Sequence, residues 1–209
     1  MRIVLVRHGE SETNKMNKEL INDHMDVGQI NVKLTDVGKE MARDLRNNGY
    51  ITQMQKIYSS DLDRALETAK LATNKADIET DKRLRERTLG LFEGILESKL
   101  SETYPEYFNN PKYINYKNDF IVKAPAGENL TEVSNRCEDF LGTLDLKQNI
   151  TIGIFSHNLV IKCFIYVLTN IEKEDVVKLK IHNCEPIVLV GDTIGKFKLE
   201  SHTIDELLL

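Results

Sequence analysis

The chain has 209 residues, 41% of them hydrophobic and 29% charged, and a formal net charge of −5. That is long enough for one sizeable core and most simply a single domain over residues 1–209; the acidic balance, with no basic tail or stripe, argues against nonspecific nucleic-acid binding. Cys137, Cys163 and Cys184 are widely separated and lack CxxC spacing, which disfavours a disulfide scaffold or zinc site and fits reduced thiols in a cytoplasmic protein.

In chain order, Ile3-Val4-Leu5-Val6 reads as a strand inside a sheet and runs straight into Arg7-His8-Gly9-Glu10. It is too short and too quickly charged for a secretory signal. Residues just beyond such a strand lie where α/β proteins bind ligands. Here they are a cation, a potentially nucleophilic histidine, a glycine that admits close backbone approach, and an acid. Residues 15–33 are polar and read as a long loop with no more than a helical turn. Thr35 caps a helix predicted over 36–47, with Gly49 as its stop. Lys56–Ser59 is the next strand, and Ser60 or Asp61 caps a helix to about Asn74, with Leu62, Ala65, Leu66, Ala69 and Ala72 on one face.

The stretch 104–127 holds Pro105, Pro111 and Pro125 among Tyr104, Tyr107, Phe108, Tyr113, Tyr116 and Phe120. An aromatic, proline-broken insert of this kind is more often a binding loop or lid than a linker. A helix follows over 130–144, with Val133, Cys137, Phe140, Leu141 and Leu144 as its stripe. A strand over 151–155 then leads into Ser156-His157 and a helix to about 168. The apolar run 159–168 is broken by Lys162 and is too short to span a bilayer. Pro186–Val190 and 196–199 complete the strands. The terminal Leu207-Leu208-Leu209 can dock internally or against another subunit. Strands alternating with helices predict an α/β fold, three layers with helices on both faces of a mostly parallel sheet.

His8 and His157 each end a strand of that sheet, so both side chains emerge at one edge. Arg64 lies in the first turn of its helix, where the dipole disfavours a cation. Either it pairs locally with Asp61 or Glu67, or it points into the same pocket as Arg7. Two arginines and two imidazoles at one point suit a phosphate, which matches the guanidinium fork in charge and geometry. Glu86, within Leu84-Arg85-Glu86-Arg87, is either a solvated charge or the acid that protonates an alkyl phosphate's leaving oxygen.

The ordered set Arg7-His8-Gly9-Glu10 with Asn14, Leu34-Thr35 with Gly38, and Ser59-Ser60-Asp61-Leu62-Asp63-Arg64-Ala65-Leu66-Glu67-Thr68-Ala69 resembles the histidine phosphatase superfamily, also called phosphoglycerate mutase-like. So do Leu84-Arg85-Glu86 with Gly90, Phe92, Glu93 and Gly94, then Pro125, Gly127-Glu128, Ser156-His157 and Asn183-Cys184. The resemblance implies that His8 becomes phosphorylated and that Arg7, Arg64 and His157 form the phosphate pocket. It implies a further phosphate contact from Asn14 and a proton donor in Glu86. It also implies that no metal or other cofactor is needed, in line with the lack of a carboxylate cluster at magnesium spacing. The expected partner is a small-molecule phosphate ester, not a nucleic acid or a membrane.

Many relatives carry Arg-x-Gln-Gly and then Asp-x-Pro before the Leu-Thr pair. This chain has His24-Met25-Asp26-Val27-Gly28 and Asn31-Val32-Lys33 there, without the arginine. Either Lys33 or His24 compensates, or both are plain loop residues. Asn129 stands in place of the usual serine after Gly127-Glu128. Three functions remain: a phosphomonoester hydrolase, a 2,3-bisphosphoglycerate-dependent phosphoglycerate mutase, and a non-catalytic phospho-ligand binder. Arg87-Thr88-Leu89-Gly90-Leu91-Phe92-Glu93-Gly94 is closer to the phosphatase branch, and the mutases are longer after the acid. All five candidate catalytic residues are present, which weighs against the binder.

Overall fold

The computed structural model describes residues 1–113 and 115–208. Six strands form one sheet: β1 (Arg2–Arg7), β2 (Lys56–Ser59), β3 (Glu79–Thr80), β4 (Thr151–Ser156), β5 (Pro186–Val190) and β6 (Lys198–Leu199). Their order is β3-β2-β4-β1-β5-β6. The first four in that order run parallel, β5 pairs antiparallel with both β1 and β6, and so β5 alone is reversed in a mixed sheet with a parallel majority. The two-residue edge strand β3 carries no apolar run and was not predicted from the sequence.

Alternation along β1 divides the core into two. Ile3 and Leu5 join Ile152, Ile154 and Leu189 beneath the helices Leu130–Leu141 and Asn158–Thr169. Val4 and Val6 join Phe155 and Val188 beneath the helices Asp36–Asp44 and Asp63–Thr73. These three layers are the predicted architecture. Leu207 is buried in the first of these cores, so the chain end docks internally there; Leu209 lies outside the described residues.

Two element boundaries moved for local reasons. Gly49 does not stop the helix predicted over 36–47. The α-helix ends at Asp44, a 3₁₀ turn covers Leu45–Asn47, and Gly49 opens a short helix capped by the Asn48 side chain. The polar segment 15–33 begins inside a two-turn helix, Glu12–Glu19, held by a capping box in which Ser11 and Asn14 exchange side chain–backbone hydrogen bonds. With no apolar stripe, that helix gives no periodic signal; its cap residues were its only mark.

The insert also carries more order than a loop. A helical turn spans Pro105–Phe108 and a 3₁₀ turn Pro111–Tyr113, and the insert's Tyr116 joins Leu89, Phe92 and Leu100 in a third small core, packed against by Tyr104, Tyr107 and Phe108. Most of those rings therefore pack the insert together and do not stand free as a lid.

One close approach sets the loop after β1. A methyl group on Gly38 would sit 2.1 Å from the Glu10 carbonyl oxygen, and one on Gly9 would sit 2.3 Å from that of Gly38. Backbone meets backbone there, so neither side can yield by a rotamer change. We expect Gly38→Ala to destabilise the fold by about 1–3 kcal/mol, the range for overpacking, visible as a lower urea midpoint with an unchanged slope. An unaltered midpoint would mean that the two segments slide apart freely.

Candidate active site

The register explains why the two histidines meet. Arg7 of β1 pairs with Ser156 of β4, so His8 and His157 are the next residue on adjacent parallel strands, and the His8 N–H donates to the Ser156 carbonyl at 3.1 Å. Their rings lie 5.2 Å apart, centroid to centroid, tilted by 59°. His8 is only 5% exposed and His157 is fully buried. The His8 Nδ1 lies 2.7 Å from the Gly9 carbonyl oxygen. A carbonyl can only accept, so Nδ1 carries the hydrogen and Nε2 keeps its lone pair. Asn183 donates from Nδ2 to the His8 carbonyl at 2.6 Å and fixes the backbone behind the ring. His157 Nε2 lies 2.9 Å from the Ser60 hydroxyl oxygen, and its buried Nδ1 has no partner among the described residues.

Arg64 answers the question left open by the sequence. Asp61 pairs with Arg85 at 2.6 Å and Glu67 with Lys39 at 3.8 Å, so neither neutralises Arg64. The guanidinium turns inward, 98% buried, and donates to the carbonyls of Gly28 at 2.8 Å and Ile30 at 3.0 Å. Arg7 donates to the Ile181 carbonyl at 2.7 Å, and its buried Nε is unpartnered among the described residues. Two guanidiniums thus face one cavity with no carboxylate within ion-pair distance of either among the described residues. Burial is the first cause holding both arginines below their ordinary pKa, because water no longer solvates the cation.

The same burial, reinforced by the Arg64 and Arg7 charges, pushes both histidines well below the usual imidazole value of 6.5. His8 is therefore neutral at physiological pH, the form in which Nε2 can attack. The linkage sign follows. Below pH 6.5 the unfolded chain takes up protons that the folded imidazoles refuse, so acidification through that value costs stability. We expect the acid limb of kcat/KM, corrected for the substrate's own ionisation, to lie below pH 6.5. A limb at or above 6.5 would contradict a desolvated His8.

Two adjoining cavities follow from these side chains. The inner one, about 180 Å³, is lined by Arg7, His8, Asn14, Arg64 and Glu86. Five of the six residues singled out in the sequence thus share one wall. The sixth, His157, packs behind His8 instead of lining the space. The outer cavity, about 230 Å³, is lined by Arg87, Leu89, Lys117 and Asn118. Both also touch His24, Asp26, Gly28, Glu86 and Asn158. Glu86 stands between them, its Oε1 accepting from the Arg87 N–H at 2.9 Å and its Oε2 from the Leu159 N–H at 3.3 Å.

Other residues near the cavity divide into those that face it and those that do not. Glu10 turns away from the cavity to Thr35 at 2.9 Å and Lys18 at 2.5 Å. His24 lines both cavities, whereas Lys33 is exposed on an open groove elsewhere, so of the two proposed substitutes for the missing arginine only His24 is in place. His24 Nε2 sits 3.0 Å from the Asp26 carboxylate, which Lys117 approaches at 3.4 Å. Burial alone would raise the Asp26 carboxyl; the His24 hydrogen bond and the Lys117 and Arg87 charges outweigh it and hold it at about 2. Segments 15–33 and 104–127 thus meet across the cavity mouth, a contact between residues 91 apart that no local pattern announces.

The fold is a three-layer α/β/α sandwich, and its edge carries two buried arginines beside two buried histidines. The chain belongs to the histidine phosphatase superfamily (branch 1), whose family model matches residues 3–204. It is 33% identical over 167 residues to phosphoglycerate mutase-like protein 4 of Arabidopsis thaliana, covering 77% of this chain and 67% of that one. In fold it is similar to a mycobacterial glucosyl-3-phosphoglycerate phosphatase, with a TM-score of 0.77, 23% identity and coverage of 95% and 96%. It is likewise similar to a phosphoserine phosphatase from Entamoeba histolytica, with a TM-score of 0.75, 23% identity and coverage of 96% and 95%.

Proposed function

We propose that the protein is a phosphomonoester hydrolase that works through a phosphohistidine at His8 on a small phosphorylated metabolite. The observation that carries this reading is the buried His8, its Nδ1 held 2.7 Å from the Gly9 carbonyl, on one cavity with two guanidiniums that have no carboxylate within ion-pair distance among the described residues.

The steps balance as follows. His8 Nε2 attacks phosphorus, the bond from phosphorus to the ester oxygen breaks, and Glu86 gives its proton to the leaving oxygen. Glu86, now a carboxylate, takes a proton from water as that water attacks the phosphohistidine. The P–N bond breaks, inorganic phosphate leaves, and His8 is neutral again. Arg7, Arg64 and the Asn14 amide hold the phosphoryl oxygens throughout, and His157, packed against the His8 ring, positions it from behind. Catalysis here is positioning and charge stabilisation, as is general for phosphoryl transfer. Arginine supplies the neutralising charge in this scheme, so the reading assigns a metal-independent reaction. The three buried free thiols support a reducing, cytoplasmic setting. No helix among the described residues is long and apolar enough to cross a membrane.

The mutase reading shares the first step and differs only in what accepts the phosphate. It draws support from the mutase-like name of the Arabidopsis relative. A panel of phosphomonoesters, including 3-phosphoglycerate with and without 2,3-bisphosphoglycerate, separates the two. Phosphate release without isomerisation is the expected result. Isomerisation that depends on the bisphosphate would favour the mutase.

A further inference from the structure

The two cavities share one boundary, and five residues line both: His24, Asp26, Gly28, Glu86 and Asn158. Four of them are already engaged. His24 Nε2 and the Asp26 carboxylate hold each other, the Gly28 carbonyl accepts from Arg64, and both Glu86 oxygens accept backbone N–H groups. Asn158 is the exception. It is half-buried, yet its side-chain amide makes no hydrogen bond among the described residues. The fold puts it beside the acid: it follows His157 and opens the helix Asn158–Thr169, one residue before the Leu159 N–H that donates to Glu86. An asparagine amide offers an acceptor oxygen and two donor hydrogens, so it can hold a small polar molecule that a neighbouring carboxylate also touches.

What stands at that boundary changes between the two steps. In-line displacement brings the incoming oxygen to the face of phosphorus opposite the P–N bond, the face from which the leaving oxygen departed. An ester oxygen carries carbon there, and as the released alcohol it has a single hydrogen, the one given by Glu86. The attacking water carries two. Glu86 takes one of them. The other occupies the direction that carbon filled in the first step, and it needs an acceptor that the ester never used.

We propose that Asn158 is a catalytic residue of the second step, whose Oδ1 accepts the hydrogen of the attacking water that Glu86 does not take. Asn158 thereby favours water over an alcohol as the acceptor of the phosphoryl group. This role rests on the hydrolase reading of the same site. The step balances: the O–P bond forms as the P–N bond breaks, and the electron pair of that bond returns to His8 Nε2. One water proton passes to Glu86, and the other stays on the new phosphate oxygen, held by Asn158 until the product leaves. Amide side chains orient attacking water elsewhere in phosphoryl transfer.

The test follows the fate of the phosphoenzyme. A nitrophenyl ester is turned over in excess glycerol, and nitrophenol, inorganic phosphate and glycerol phosphate are measured together. Nitrophenol reports the phosphoenzyme formed, and the ratio of the two phosphate products reports its choice of acceptor. We expect Asn158→Ala to shift that ratio about tenfold toward glycerol phosphate, the effect of one lost hydrogen bond, while single-turnover nitrophenol release slows by no more than about twofold. Asn158→Asp keeps an acceptor oxygen and suits a helix start, so it should return the ratio toward that of the intact enzyme even as its added charge slows both steps. A loosened pocket would instead slow nitrophenol release and both products alike. An unchanged ratio in Asn158→Ala, or nitrophenol release that falls in step with hydrolysis, would overturn the role of Asn158 and leave the hydrolase reading standing. Intact enzyme that gave neither phosphoenzyme nor inorganic phosphate would overturn both.

Discussion

Replacing His8 with alanine should lower kcat by at least about 10⁴-fold on every ester and remove all phosphoenzyme, because the group that forms the bond to phosphorus is gone. The rest of the pocket does not depend on the imidazole. Arg64 is anchored on the Gly28 and Ile30 carbonyls and Arg7 on that of Ile181, so inorganic phosphate should still bind. His8→Asn, which retains an amide N–H near the Gly9 carbonyl, serves as the control for folding and should be equally inactive. Substantial turnover in either variant would remove His8 from the covalent role. Loss of phosphate binding together with turnover would point to collapse of the pocket.

Glu86→Gln should lower kcat on an alkyl phosphate by about 10²–10⁴-fold, the usual worth of a positioned acid. With a nitrophenyl ester the first step should suffer far less, since that leaving group departs as an anion without needing the proton. The second step still needs a base for water. The variant should therefore show a burst of nitrophenol followed by slow turnover, with phosphoenzyme accumulating. The amide can keep one of the two backbone hydrogen bonds that hold Glu86, those from Arg87 and Leu159, so the side chain stays in place. Equal losses on both esters and no burst would mean that Glu86 serves only to tie the loop to the helix behind it.

The catalytic edge was legible because its residues sit at strand ends and helix starts, which hydrophobic periodicity marks well. The two apolar runs placed both histidines at strand ends on one edge, and the pairing of Arg7 with Ser156 in the structure brings His8 beside His157. Gly38 carried a motif signal whose cause is now physical: only a glycine fits against the Glu10 carbonyl. Asn129 was marked as a departure at a helix start, and there it caps Leu130–Leu141 in a reciprocal box with Glu132.

What stayed hidden has one common character, contact between distant polar segments. His24 was one of two candidates for the missing arginine, but its contact with Asp26 and Lys117 was not legible: these segments lack periodicity, and the loop is held where Met25 bridges to Leu96 and the Glu97 N–H donates to the His24 carbonyl. Arg87 looked like part of a charged run, since sequence shows charge but not burial. The aromatic segment 104–127 reads as a binding loop or lid, whereas most of its tyrosines pack a small core around Phe92 and Leu100. The leaving-group side of the site is accordingly the part that needed the structure.

Rapid-quench trapping of the intact enzyme with a ³²P-labelled ester tests the central claim most directly. The account predicts a label formed within one turnover, stable in base and labile in acid, on the peptide that carries His8. Turnover without any such label, or a label on a different residue, would contradict it.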